Sequence, residues 1–375
     1  MLKSMIAAAL AMLLAGAAAA QAPAEVVFRN VRVFDGKSDR LTAPTSVLVR
    51  GNLIAAIGPA AVASAPTATV VEGEGRTLMP GLIDAHWHTL LVRPRFTELL
   101  TADAGYLNVL GAAEATATLM RGFTTVRDVG GPSFGLKRAI DEGVLPGPRI
   151  YPSGALISVT SGHGDFRASW EVPRTIGAPA SRQEQVGASM IADSPDEVTV
   201  RVREQLMQGA SQIKLTAGGG VSSPHSPLDV STFTEAELRA AVEAAANWGT
   251  YVTVHAYTSA AVQRAIAAGV QCIEHAHLMD DATARMMAEK GVWLSMQPLP
   301  DELAEGFPPG SEQRAKAVEV FAGTPRTYAL AKKYGIKTAW GTDVLFSPGL
   351  ALQQGALLAK VATWFTPAEA LAQAT

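Results

Sequence analysis

A chain of 375 residues, 48% hydrophobic and 17% charged, buries a large core and forms one large globular domain or two smaller ones. A formal charge of −3 and the lack of any polybasic run exclude an electrostatic attraction for nucleic acid. Cys272 is the only cysteine, which excludes an internal disulfide, and its apolar strand neighbours mark it as a buried, inert thiol.

Lys3, the apolar run from Met5 to Ala15 and the small residues Ala17 to Ala20 before Gln21 read as a cleaved secretory leader over residues 1–20. The run is too short for a spanning helix, so no membrane anchor is expected after cleavage. The mature charge is then −4, and a bacterial source implies a periplasmic or secreted protein.

From Glu25 to Met79 the pattern is of short strands. Val31 and Val33 alternate with polar residues, and Arg50-Gly51-Asn52 is a hairpin signal between Val47-Leu48-Val49 and Leu53-Ile54. Gly73, Gly75 and Pro80 end this small β region.

Beyond Pro80, strands alternate with helices. Eight apolar or β-branched windows fall near 82–88, 123–128, 149–156, 211–217, 252–257, 270–276, 292–297 and 336–341. Glycines 122, 209, 249, 269, 291 and 335 stand where a helix ends before the next strand, a position that favours a left-handed residue. Thr234 with Glu237, Ser194 with Glu197 and Thr366 with Glu369 fit capping boxes, and Leu238, Val242, Ala245 and Trp248 mark one helical face. Helices between consecutive strands require parallel pairing, so residues 81–375 are expected to form a (β/α)8 TIM barrel rather than an open doubly wound sheet. The Gly-, Pro- and Ser-rich stretch from about Ile157 to Asp193 is predicted as a long functional or disordered loop. A helix beginning at Thr366 is cut off at Thr375.

Five of the seven histidines fall at predicted strand ends, where a parallel barrel places its active site. His86 and His88, in Asp84-Ala85-His86-Trp87-His88, share a face of the first strand and can grip one metal ion. His255 ends the fifth strand, His275 or His277 the sixth, and Asp343 follows the eighth. Each alone suits an ordinary polar strand end, but side chains after separate barrel strands converge in only one place. Lys214 lies in Gln212-Ile213-Lys214-Leu215-Thr216, where burial depresses its pKa. The resulting neutral amine can react with carbon dioxide to give a carbamate whose two oxygens suit a pair of cations.

This pattern resembles the metal-dependent amidohydrolase superfamily, ligand for ligand, at His86, His88, Lys214, His255, His275 and Asp343. Within it, the chain is similar to the Xaa-Pro dipeptidase and carboxypeptidase-like branch, which includes ochratoxin-hydrolysing enzymes. Met79 to His86, Gly122 to Asp128 and Ile273-Glu274-His275 support that likeness. The resemblance implies two zinc-like divalent ions bridged by carboxylated Lys214 and a hydroxide. His86, His88 and Asp343 would hold one ion, and His255 and His275 the other; family precedent favours His275 over His277. Asp343 would also carry the proton to the leaving nitrogen. His163, in Ser161-Gly162-His163-Gly164-Asp165, and Tyr257 match substrate-contacting positions, and His225 is a weaker pocket candidate.

The implied reaction is hydrolysis of an amide bond in a dipeptide or N-acyl amino acid, with self-association left open. A cyclic-amide hydrolase or deaminase generally lacks the strand-four lysine, and a non-catalytic barrel scaffold would have lost ligands. Family members return to their N-terminal strands after the barrel. Residues 25–80 are therefore expected to be a partial β-sandwich without its partner strands, beside a barrel truncated at its C-terminal end.

Overall fold

The computed structural model describes residues 24–375 apart from 64, 173–178, 224 and 300, so the leader at 1–20 lies outside the described residues. Two compact units emerge, one ending at Pro80 and one covering Gly81–Thr375.

In the first unit, β1 (Glu25–Val33) pairs antiparallel with β2 (Thr45–Arg50) and parallel with β4 (Thr69–Glu72) and β5 (Thr77–Leu78). β3 (Leu53–Ile57) pairs antiparallel with β2 across the turn at Gly51, whose φ of 61° suits a residue without Cβ. Val27, Leu48, Ala61 and Ala65 cluster on the buried side, whereas Leu53, Ile54, Ile57, Val70 and Val71 are exposed on β3 and β4.

The second unit is a TIM-barrel-like α/β fold. β6 (Leu82–Trp87), β7 (Phe123–Asp128) and β8 (Arg149–Pro152) form one parallel ladder. A second parallel ladder runs in the order β10 (Ser189–Ile191), β9 (Leu156–Ser158), β11 (Ile213–Thr216), β12 (Val252–Thr258), β13 (Cys272–Leu278), β14 (Trp293–Met296) and β15 (Thr338–Trp340). The third predicted strand window is thus split into β8 and β9 at Gly154, where φ is 73°. β15 packs beside β6, and Asp343 N donates to His86 O at 2.9 Å.

Alternation within each strand assigns side chains to two layers. Ile213, Leu215, Val252, Val254, Ile273, Leu294 and Met296 belong to one large apolar cluster with Val198, Val202, Leu238, Ala241, Val262 and Met287 of the surrounding helices. Residues between them, including Lys214, Thr253, His255 and Glu274, face the other way, into the barrel. Glycines 122, 209, 249, 269, 291 and 335 all take positive φ, as their helix-closing positions require.

Three local expectations are corrected. Trp248 is exposed, because the helix Glu235–Ala246 ends before it; the buried face is Leu238, Ala241, Ala244 and Ala245. Ser194 does cap its helix, accepting from Glu197 N at 3.2 Å, but Glu197 turns its carboxylate to Asp193 N at 2.7 Å, so the reciprocal box is not formed. The stretch after β9 is not structureless: among its described residues it holds a short 3-10 turn, the helix Arg182–Gln185 and β10.

Strand eight approaches strand one with no room to spare. A Cβ on Gly341 would lie 2.5 Å from both N and Cβ of His86. We expect Gly341→Ala to cost at least about 1–3 kcal/mol from overpacking and to displace His86. A lower melting temperature, together with weakened divalent-metal binding, checks this.

Candidate metal centre

The strand ends bring the predicted ligands together. The ligand atoms of His86, His275 and Asp343 lie within 4.8 Å of one another. His86 Nε2 and His88 Nε2 are 3.1 and 3.2 Å from Asp343 Oδ1. The His275 ring centroid is 5.0 Å from that of His86 and 4.4 Å from that of His255. Lys214, 3% exposed, sits among these groups: Glu274 and Asp343 act on its charge, and it acts on His86, His255 and His275.

His275 reaches the cluster through a break in strand alternation. Its φ is 80° and that of Ala276 is 50°. Ile273 and Ala276 both belong to the outer apolar cluster, so two successive residues between them, Glu274 and His275, point inward. His277 is displaced from the centre, its ring 6.1 Å from that of His275; its Nε2 meets Gln297 O at 3.2 Å, and its Nδ1 is buried without a partner among the described residues.

Hydrogen bonds at the outer side of each imidazole decide which nitrogen faces inward. His88 Nδ1 meets the carbonyl of Gly130 at 3.0 Å, and a carbonyl only accepts, so Nδ1 carries the proton and Nε2 the lone pair. His86 Nδ1 meets the Glu274 carboxylate at 2.8 Å, with the same result. His275 Nδ1 meets Gln297 Oε1 at 2.6 Å. His255 is reversed: Nε2 donates to Gly219 O at 2.8 Å, leaving Nδ1 with the lone pair. Gly219 is packed against Pro227 so closely that a Cβ there would meet Pro227 O at 1.6 Å, a position only glycine fills.

Charges follow from this packing. Burial lowers the basicity of His255 and His275 well below the ordinary imidazole value, so both stay neutral. Burial lowers that of His86 too, but Asp343 and Glu274 oppose it and the net shift is upward. Burial would raise the Asp343 carboxyl, yet His86 and its hydrogen bonds hold it well below the carboxylate range. Burial also depresses the Lys214 amine. Unshared pairs on nitrogen and a carboxylate thus converge on one space, a donor set that fits a divalent cation.

Of the remaining candidates, His163 and Tyr257 border the cluster. The His163 ring is 4.2 Å and the Tyr257 ring 4.7 Å from His255. His163 Nδ1 is 2.9 Å from Ser223 Oγ, and burial lowers its pKa to about 4. His225 is exposed; its carbonyl accepts from Ser161 Oγ at 2.9 Å. Cys272 is buried and its thiol is pushed up to about 11, chiefly by burial, consistent with an inert group.

Sequence reasoning missed the groups that hold the ligands. Asp84 accepts from His86 N at 3.0 Å, Thr342 N at 3.1 Å, Thr342 Oγ1 at 2.7 Å and Gln354 Nε2 at 2.9 Å, locking strand one to the loop that carries Asp343. Glu274 and Arg127 form a buried ion pair at 2.6 Å. Their signal was present, as ionised residues inside apolar strand windows.

A parallel (β/α) barrel with imidazoles, a carboxylate and a buried lysine at its strand ends defines the class. The chain belongs to the Amidohydrolase family, whose sequence model matches residues 77–375. It is 32% identical over 308 residues to the ochratoxinase of Aspergillus niger, covering 80% of this chain and 64% of that protein. The chain therefore spans a little under two thirds of that relative's length. A prolidase crystal structure in complex with N-methylphosphonate-L-proline aligns at TM-score 0.85 and 33% identity, over 94% of this chain and 86% of that one. A Xaa-Pro dipeptidase with bound methionine in its active site aligns at TM-score 0.80 and 29% identity, over 94% and 87%.

His277 provides a pH test. Its pKa falls to about 4 from 6.5, mainly through burial, so between those values the unfolded chain binds a proton that the folded chain refuses. Stability is therefore lost as pH drops through that window. In metal-free protein, His277→Gln should make the decline shallower by on the order of 1.4 kcal/mol per pH unit, read from denaturant melts at several pH values.

Proposed function

We propose that this protein is a binuclear, metal-dependent hydrolase of amide bonds in dipeptides or N-acyl amino acids. The observation that carries the reading is the convergence of His86, His275 and Asp343 within 4.8 Å, beside a buried lysine. His86, His88 and Asp343 would hold one divalent ion, His255 and His275 the second, with Lys214 as a carbamate between them. Ions so held, zinc in our reading, supply Lewis acidity and lower the pKa of bound water from about 15.7 to about 7.

The rest falls to the chain's own groups. Lys214 reaches the carbamate by losing a proton and adding its amine nitrogen to carbon dioxide, which the depressed basicity of the buried amine favours. Asp343, ionised and within reach of two imidazoles, takes a proton at its carboxylate and returns it to the leaving nitrogen. His163, neutral because burial depresses it, orients the substrate carbonyl, and Tyr257 donates its hydroxyl to a terminal carboxylate. Relatives named as an ochratoxinase and as a prolidase support an acyl group on one side of the bond and an amino acid on the other. The leader pattern supports action after export, and no described helix is long and apolar enough to cross a membrane.

The test joins metal analysis to a substrate panel. We expect about two divalent ions per chain, chelator-sensitive hydrolysis of some dipeptides or N-acyl amino acids (ochratoxin A included), and a fall of at least about 100-fold in Lys214→Ala. A single ion per chain, or full activity without the lysine, would overturn the bridged pair.

A further inference from the structure

We infer that Arg127 and Glu274 are a positioning pair that sets the tautomer of His86 from beneath the metal centre, and that Arg127 is reached from the opposite end of the barrel. The inference rests on the proposed metal site only for what His86 Nε2 does.

Glu274 is fully buried and shares its two oxygens between neighbours. Oε2 meets His86 Nδ1 at 2.8 Å, while Oε1 accepts from Arg127 Nη2 at 2.6 Å and from the Thr253 hydroxyl. The Arg127 guanidinium, paired with it at 2.6 Å, supplies the positive charge that a buried carboxylate needs. A carboxylate kept ionised accepts only, so the proton of His86 stays on Nδ1 and the Nε2 lone pair is presented toward Asp343. Gln297 Nε2 also lies 3.3 Å from His86 Nδ1, but as a donor it cannot stabilise a protonated Nδ1. The shorter, charged contact with Glu274 prevails.

Arg127 completes the device. Nε donates to Ala85 O at 2.6 Å, fixing the strand one residue before His86. Nη1 has only longer contacts, to Tyr251 Oη at 3.4 Å and Cys272 Sγ at 3.6 Å. The guanidinium thus neutralises Glu274 and holds β6 in place; without it, a buried carboxylate would lose its strongest cation.

A cavity of about 480 Å³ opens beneath the pair, lined among others by Ile83, Thr125, Arg127, Tyr251, Cys272 and Trp293. Ile83, Cys272 and Trp293 stand in the first two positions of their strands and Tyr251 just before β12, away from the ends that carry the histidines, while Thr125 and Arg127 lie further along β7 and Arg127 reaches down to the cavity. Truncating Arg127 would add its volume to this cavity and leave a guanidinium-shaped space open to small solutes.

That geometry gives a rescue experiment. Zinc affinity is measured by chelator competition, and the His86 Nδ1 proton is followed by NMR of protein carrying ¹⁵N-labelled histidine. Arg127→Ala and Glu274→Gln are each expected to weaken zinc binding by about 10–100-fold and to shift or abolish the Nδ1 proton signal. Millimolar guanidinium should recover much of the affinity and the signal in Arg127→Ala, while leaving wild type and Glu274→Gln unchanged. If Arg127→Ala does not fold, Arg127→Lys replaces it, expected to retain the Nδ1 signal with intermediate affinity. Wild-type affinity in both original variants, or a folded Arg127→Ala that guanidinium does not restore, overturns the pairing. Wild type that binds no zinc but keeps a Glu274-dependent Nδ1 proton refutes the metal reading and leaves the pair standing.

Discussion

Two imidazole nitrogens meet one carboxylate oxygen at 3.1 and 3.2 Å at the strand ends of the barrel. Such a meeting is favourable only where positive charge, a ring proton or a cation, lies between the partners. The rest of the second unit is arranged to hold that meeting in place. Asp84 ties strand one to the Asp343 loop, Gly341 lets the strands close up, and carbonyls of Gly130 and Gly219 fix two rings by their outer nitrogens. With their outer nitrogens occupied, the imidazoles turn their other nitrogens toward the shared centre.

The barrel achieves this with two chemically distinct layers on the same strands. Outward residues join the helices in one apolar cluster, and their burial supplies the driving force at roughly 25 cal/mol per Å². Inward residues form a polar stack with Arg127 and Glu274 below the histidines and Asp343. The buried Arg127 and Glu274 compensate one another, which is the condition for tolerating them.

Much of the architecture was legible in the sequence because period-two strands, helix-closing glycines and Thr-initiated caps act locally. Glycines 249 and 269 and the Thr234–Glu237 box are examples, each determined by residues within a turn of itself. Trp248 was misread because helical periodicity carries no information about where Asn247 ends the helix. Glu197 was misread because a second donor, Asp193 N, competes for its carboxylate. At the site, the ligand types and their strand-end positions could be read directly. The choice between His275 and His277 could not, since it turns on positive φ at His275 and Ala276, and neither residue type signals that conformation. Arg127 and Glu274 lie 147 residues apart, so nothing local announces their pairing.

The irregular turn of backbone at His275 and Ala276 also has a cost that the centre must bear. Side-chain-bearing residues held at φ of 80° and 50° store on the order of 1–3 kcal/mol apiece, a tension that neighbouring contacts must restrain. A cation held by His275 would restrain that segment from inside, while the apolar Ala276 anchors it from outside. Occupancy of such a centre would therefore bear on more than chemistry: it would act as a clasp on a sprung section of the sixth strand.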